Sequence, residues 1–189
     1  MGLLNLFRWK KEPSNDYGLS ELKRQENLGD QELEELTKAA ELSLPERIKV
    51  YERILPTAHF NAFNHKLSLA SMYLEAGEMD KAWGYLNRLY QDGMKSPHFA
   101  AEAPKIRKLQ FSVLKAEGKY AQALEMLLCS FVLYGNYSQS AIKKDFLPIA
   151  KKAGLSKEQT DNLIGALDSA LASKQDEGSF LRSVRSIIG

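Results

Sequence analysis

One spacing recurs in this sequence and restricts its fold more than any other feature. Two windows, Ala70–Leu89 and Phe111–Ser130, each carry a glycine seven residues after their start and an alanine five residues after that glycine. Apolar residues at helical intervals flank both glycines. Two antiparallel helices need a turn residue that tolerates a left-handed backbone, which Gly77 and Gly118 supply, and a small side chain where the helices cross. The spacing therefore predicts two helix–turn–helix units.

Apolar residues also follow helical spacing over most of the chain after Leu28. Ser156 and Gln159 have the spacing of a capping box, which predicts that a further helix begins there and runs through Ala170. No segment shows the sustained alternation with β-branched residues that is typical of half-buried strands. We therefore predict an all-α fold.

Composition divides the chain into three segments. Residues 1–27 mix Pro, Ser, Asn, Asp and Gly with scattered charge, which is typical of a flexible N-terminal tail. Residues 28–173 form the predicted helical repeat domain. Residues 174–189 form a predicted amphipathic helix, with Gly178 as its hinge. This helix either caps the repeats, whose terminal apolar face needs a cover, or docks on another protein.

The window from Leu67 to Leu89 resembles the tetratricopeptide repeat, and residues 74–82, Leu-Glu-Ala-Gly-Glu-Met-Asp-Lys-Ala, are similar to the turn of that family. The second window carries Phe111 and Leu114 where the family has a small residue and a tyrosine. Continuing the repeat spacing towards both ends of the chain predicts one weaker repeat unit on each side of these two windows. The resemblance implies a right-handed α-solenoid of stacked helix-turn-helix repeats with a C-terminal capping helix. A non-repeating helical bundle that shares one hairpin is the alternative.

The net charge of the 189-residue chain is close to neutral, with 26 Lys and Arg against 24 Asp and Glu, a formal charge of +2. No global field would therefore steer it to nucleic acid, and we expect no nucleic-acid partner. The charge is unevenly distributed, since residues 93–154 contain ten basic and four acidic side chains. This surplus predicts a basic surface late in the chain.

The sequence contains no pattern that indicates catalysis or a cofactor. Its single cysteine, Cys129, excludes an intrachain disulfide and a four-thiolate zinc site, and it fits a reducing cytoplasm. Its apolar surroundings predict a core residue. The three histidines do not share a helix face, so we expect no metal site. Phosphate-binding and hydrolase motifs do not occur, and we expect a protein that is not an enzyme.

In the tetratricopeptide family, the first helix of each repeat lines a concave groove that binds the partner. The resemblance places ten residues of this chain in such a groove: Asn64, Leu67, Ser71, Leu74, Lys105, Lys108, Ser112, Lys115, Lys144 and Lys151. Five lysines would make the groove electropositive, suited to an acidic peptide or a C-terminal carboxylate of a partner protein. The alternative is that the lysines form an ordinary solvated helix face.

These observations predict a cytoplasmic adaptor or assembly scaffold that binds another protein or peptide in a partly basic groove. A second hypothesis is a peripheral organiser at the inner face of a membrane. Its N-terminal segment is amphipathic, and the residues that would make this weak membrane contact are Leu3, Leu4, Phe7 and Trp9.

Overall fold

A computed structural model describes residues 29–55, 63–94 and 101–189, and within these ranges it contains nine helices and no strand. The predicted all-α fold is confirmed for this part of the chain. In chain order the helices are α1 (Asp30–Lys38), α2 (Leu44–Ile54), α3 (Phe63–Glu75), α4 (Met79–Gly93), α5 (Ala103–Ala116), α6 (Tyr120–Tyr134), α7 (Gln139–Ala141, Ile142–Phe146 and Leu147–Lys152), α8 (Lys157–Ser173) and α9 (Glu177–Ile188). The predicted tail, residues 1–27, lies outside the described residues.

The chain divides into two compact units, Met1–His65 and Lys66–Gly189. In the first unit, α1 is followed by a 3-10 turn, Ala39–Glu41, and packs against α2. Arg47 of α2 donates hydrogen bonds to the carbonyls of Ala39, Ala40 and Leu42 at 3.3, 2.9 and 3.1 Å. The carbonyls at the end of a helix have no partner within it, so Arg47 stabilises the end of α1 and its connection to α2.

Three helix pairs of the second unit are joined by turns of one kind. Gly77, Gly118 and Gly154 adopt φ angles of +76°, +75° and +76°. Each glycine N–H donates to the carbonyl three residues earlier, and the next N–H donates to the carbonyl five residues before it. This Schellman arrangement satisfies the last carbonyls of a helix and requires a left-handed residue, which explains the glycines.

A fourth turn of the same kind follows α8, although Lys174 takes the left-handed position at φ +51°. Asp176 then caps the N-terminus of α9, since its carboxylate accepts a hydrogen bond from the Ser179 N–H at 2.9 Å. The expectation that Gly178 forms the hinge is therefore wrong, because Gly178 lies within the first turn of α9. The change of direction is made by the Lys174 backbone instead.

The centre of the second unit is α6. It contacts α5, α7, α8 and α9, and it contributes the largest set of buried residues: Ala123, Leu124, Met126, Leu127, Leu128, Cys129, Ser130 and Phe131. A helix that is apolar around most of its circumference is stable only where other elements cover it. The amphipathic α9 supplies one of these covers, with Phe180 and Val184 fully buried.

The helix α7 contains a π-turn over Ile142–Phe146, where the Leu147 N–H donates to the Ile142 carbonyl five residues earlier. Pro148 follows directly. Proline has no N–H, and in a regular α-helix its ring would clash with the carbonyl four residues before it, that of Lys144. The wider turn avoids this conflict. It also holds more residues than the 3.6 of an α-turn, so the two ends of α7 are out of α-helical register.

Candidate functional site

The lysine face of α5 consists of Lys105, Lys108, Ser112 and Lys115. The three lysines are exposed and Ser112 is half-buried, whereas Ile106 and Val113 on the other side of the helix are fully buried. The structure thus places these four groove candidates along one accessible side of a single helix.

The three lysines of this face differ in their surroundings. The Lys105 ammonium lies 2.8 Å from the Glu102 carboxylate, so its charge is partly compensated. The Lys115 ammonium lies 5.6 Å from the centroid of the Phe111 ring. Within the described residues, Lys108 and Lys115 form no ion pair, and they carry the free positive charge of the lysine face.

Four groove candidates lie on α3. Asn64 is exposed, whereas Leu67, Ser71 and Leu74 are half-buried. The Ser71 hydroxyl donates to the Leu67 carbonyl at 3.1 Å and is thereby engaged within its own helix. The apolar surface that this side of α3 offers to a partner therefore comes from the exposed parts of Leu67 and Leu74.

The two groove candidates on α7, Lys144 and Lys151, are both exposed. Their assignment to one face assumes a regular α-helix between them. That assumption is wrong, because the π-turn Ile142–Phe146 shifts the register along α7. The proline that causes the shift is visible in the sequence at position 148, but the hydrogen-bond pattern with which the helix accommodates it is not.

The predicted membrane contacts, Leu3, Leu4, Phe7 and Trp9, lie outside the described residues. In the three described ranges, no helix combines the length and apolar character that are needed to cross a bilayer.

A largely buried polar network that the sequence did not reveal joins α4, α5 and α9, and its members Tyr90, Arg107 and Glu177 are each partly exposed. The Arg107 Nε donates to Glu177 Oε1 at 2.5 Å, and the Tyr90 hydroxyl donates to the other carboxylate oxygen. The guanidinium carbon of Arg107 lies 3.7 Å from the Tyr90 ring centroid. Burial, together with the hydrogen bond to Glu177, raises the pKa of Tyr90 to about 12. These contacts attach the first turn of α9 to α4 and α5.

The network continues through Gln110, which is fully buried. Its side-chain oxygen accepts from Arg107 Nη1 at 2.8 Å, and its amide nitrogen donates to Asn87 Oδ1 at 2.7 Å. Both polar atoms of the glutamine are therefore satisfied, as burial requires.

Cys129 is fully buried on α6, and burial raises the pKa of its thiol, with the nearby Glu177 carboxylate adding to the effect. A thiol held in its protonated form is a poor nucleophile, so the geometry indicates a core residue. Among the residues that the structure describes, no group of three His, Cys, Asp or Glu side chains is arranged to hold a metal ion.

A cleft of about 530 Å³ lies at the surface of the second unit, where the start of α4, the Gly118 turn, α6 and the end of α9 meet. We call it the turn cleft. Leu114 and Met126, both buried, and the half-buried Trp83 supply its apolar lining. The exposed Asp80 borders it.

Two ion pairs form part of the wall of the turn cleft. The Lys119 ammonium lies 3.1 Å from Glu117, and the Arg185 Nη2 lies 2.9 Å from Glu125. None of these residues was a predicted site residue. One signal was available, since Glu125 is an isolated carboxylate in the most apolar stretch of the sequence, Leu124–Tyr134.

Comparison with protein-family models, with curated proteins and with solved structures finds no significant match to this chain. The functional conclusion therefore depends on the geometry of its surfaces.

Proposed function

We propose that this chain is an adaptor or assembly scaffold of tetratricopeptide-like helical repeats, which acts by binding rather than catalysis. Three helix pairs joined by the same left-handed glycine turn, at Gly77, Gly118 and Gly154, support the repeat proposal. In this proposal the repeats form a right-handed solenoid and α9 covers its last units. The single buried Cys129 fits a protein of the reducing cytoplasm.

The observation that carries the proposal is the exposed lysine face of α5 on a helix whose other side is fully buried. Lys108 and Lys115, which form no ion pair in the described ranges, offer their ammonium groups to an acidic peptide or a C-terminal carboxylate of a partner protein. An exposed ion pair contributes only about 0.2–1 kcal/mol. The lysines would therefore mainly set orientation and association rate, while apolar contacts supply much of the affinity.

Affinity capture from the source organism tests this function with three forms of the protein. The wild type is compared with the double variant Lys105→Glu and Lys108→Glu, and with a control of equal charge change at two other exposed lysines, Lys49→Glu and Lys157→Glu. We expect the lysine-face variant to lose the captured partner and the control to keep it. Binding should also weaken with salt, because the Debye length falls from about 10 Å at 0.1 M to about 3 Å at 1 M.

Retention of the same partner by the lysine-face variant at low salt would show that these lysines are a solvated surface. The melting temperatures of all three forms should agree closely, because every altered side chain is exposed.

A further inference from the structure

We propose that the turn cleft is a second binding site, which takes an arginine side chain presented by a partner polypeptide. Its guanidinium would pair with Asp80 and its aliphatic stem would lie on Trp83. This site is separate from the Lys105 and Lys108 part of the lysine face, because Leu114 of the cleft lies nine and six residues from them on α5, about 180° and 120° around the helix, and no lysine-face residue lines the cleft.

The size and lining of the cleft suit a side chain with an apolar body and a polar end. Its volume of about 530 Å³ falls within the range of ligand sites in proteins. Leu114, Met126 and Trp83 provide apolar contact, and charged groups surround them. Trp83 also packs against the hydrophobic core, which holds the indole in place. An anchored tryptophan is the type of residue that most often dominates binding energy at interfaces.

The charges of the cleft leave one carboxylate free. Glu117 is paired with Lys119, and Glu125 is paired with Arg185. Asp80 forms no ion pair within the described residues, and it borders two further surface depressions beside the turn cleft. The uncompensated charge of the cleft is therefore negative, and a cationic group complements it.

A guanidinium of the chain itself already pairs with a carboxylate in the wall of this cleft. Arg185 donates from both Nε and Nη2 to one oxygen of Glu125, at 3.1 and 2.9 Å. Asp80 and Trp83, three residues apart on α4, offer a second carboxylate together with an aromatic face. A guanidinium is favoured over an ammonium at such a site because it is planar, weakly hydrated and able to stack on an aromatic ring.

Tryptophan fluorescence provides a direct test with a defined probe. The chain has two tryptophans, so the variant Trp9→Phe leaves Trp83 as the single reporter. This protein is titrated with the peptide acetyl-Gly-Ser-Arg-Ser-Gly-amide and with matched peptides that carry lysine or citrulline instead of arginine. We expect a saturable change with the arginine peptide, with a dissociation constant of the order of 1 mM, and weaker binding of the other two.

Variants made in the same Trp9→Phe protein test whether the fluorescence change arises from binding in the turn cleft. Asp80→Asn should weaken binding of the arginine peptide about fivefold, and Asp80→Glu should restore most of it. Glu158→Gln, an equal charge change at an exposed position of α8, should leave binding unchanged. The lysine-face variant Lys105→Glu with Lys108→Glu should also bind as before, which separates this site from the proposed acidic-partner site.

Three results would overturn the proposal. The first is the absence of a saturable fluorescence change at peptide concentrations well above 1 mM. The second is equal binding of the arginine peptide and either matched peptide. The third is unchanged binding by Asp80→Asn.

Discussion

Arg107 of α5 and Glu177 of α9 lie 70 residues apart in the sequence and form an ion pair with an Nε–Oε1 distance of 2.5 Å. Each side chain is only 15% exposed. Removing two charges from water costs free energy, which their attraction offsets only while both partners and their other hydrogen bonds are present. The pair therefore makes the position of α9 sensitive to either residue.

Replacing one member of this pair should destabilise the fold. We expect Arg107→Gln or Glu177→Gln to lower the free energy of unfolding by about 3 kcal/mol, because the remaining charge keeps only neutral hydrogen-bond partners and loses the opposite charge that offsets its desolvation. The double variant should lose less than the sum of the two single changes. Urea denaturation followed by circular dichroism measures all three. Single variants within about 0.5 kcal/mol of the wild type would show that the pair does not stabilise α9.

Replacing Lys174 by glycine should stabilise the turn that follows α8. Lys174 has φ +51°, a conformation that costs a residue with a side chain about 1 kcal/mol relative to glycine. Lys174→Gly should therefore raise the free energy of unfolding by about 0.5–1 kcal/mol in thermal or urea denaturation.

Gly118→Ala is the matched control for this turn. A Cβ at Gly118 would have no atom within 4 Å, so the change tests backbone conformation alone. With φ +75°, it should destabilise by about 1 kcal/mol. If Lys174→Gly and Gly118→Ala both raised, or both lowered, the free energy of unfolding, the left-handed conformation at Lys174 in the turn after α8 would be contradicted.

Stability should fall in alkaline solution. Burial raises the pKa of the Cys129 thiol and raises the pKa of Tyr85 and Tyr90 to about 12. At high pH the folded protein therefore holds protons that the unfolded chain has released, and the free energy of unfolding decreases as pH rises. We expect the decrease to begin near pH 9, where an ordinary thiol ionises, and to become steeper between pH 10 and about 12.

Cys129→Ala identifies the thiol contribution to this pH dependence. The variant should show a smaller decrease between about pH 9 and 10 in urea denaturation, whatever its stability at pH 7. If the free energy of unfolding fell equally with pH in the wild type and in Cys129→Ala, the Cys129 thiol would not contribute to the pH dependence.

The Cys129 thiol should react only when the structure opens. It is fully buried and its pKa is raised by burial, whereas alkylation requires an accessible thiolate. Labelling by N-ethylmaleimide at pH 7 should therefore be slow in the native protein and rapid in urea. Arg107→Gln should accelerate the native reaction, because it weakens the attachment of α9. Rapid labelling of the native wild type would contradict the buried position of Cys129.

The local features of the second unit were accessible from the sequence. The glycine spacing correctly indicated left-handed turns at Gly77 and Gly118. The predicted capping box is confirmed, since Ser156 and Gln159 exchange hydrogen bonds of 3.0 and 3.1 Å. Such features depend on residues within a few positions of one another, so the local sequence encodes them.

The candidate site residues also differ in how well the sequence predicted their positions. Helical periodicity alone indicated that Lys105, Lys108 and Lys115 share one side of a helix, because side-chain direction along a helix follows from residue spacing. The same reasoning does not hold for α7, because the irregular hydrogen bonding before Pro148 changes the direction of the side chains along the helix.

Only the tertiary structure brought together Arg107 with Glu177 and Glu125 with Arg185. The second pair joins residues 60 positions apart. The turn cleft likewise exists only because α4, α6 and α9 meet at the Gly118 turn. Helical periodicity identifies which side of each helix is buried, but not which other helix covers it. That choice depends on how complete side-chain surfaces pack together, which is a property of the folded chain as a whole.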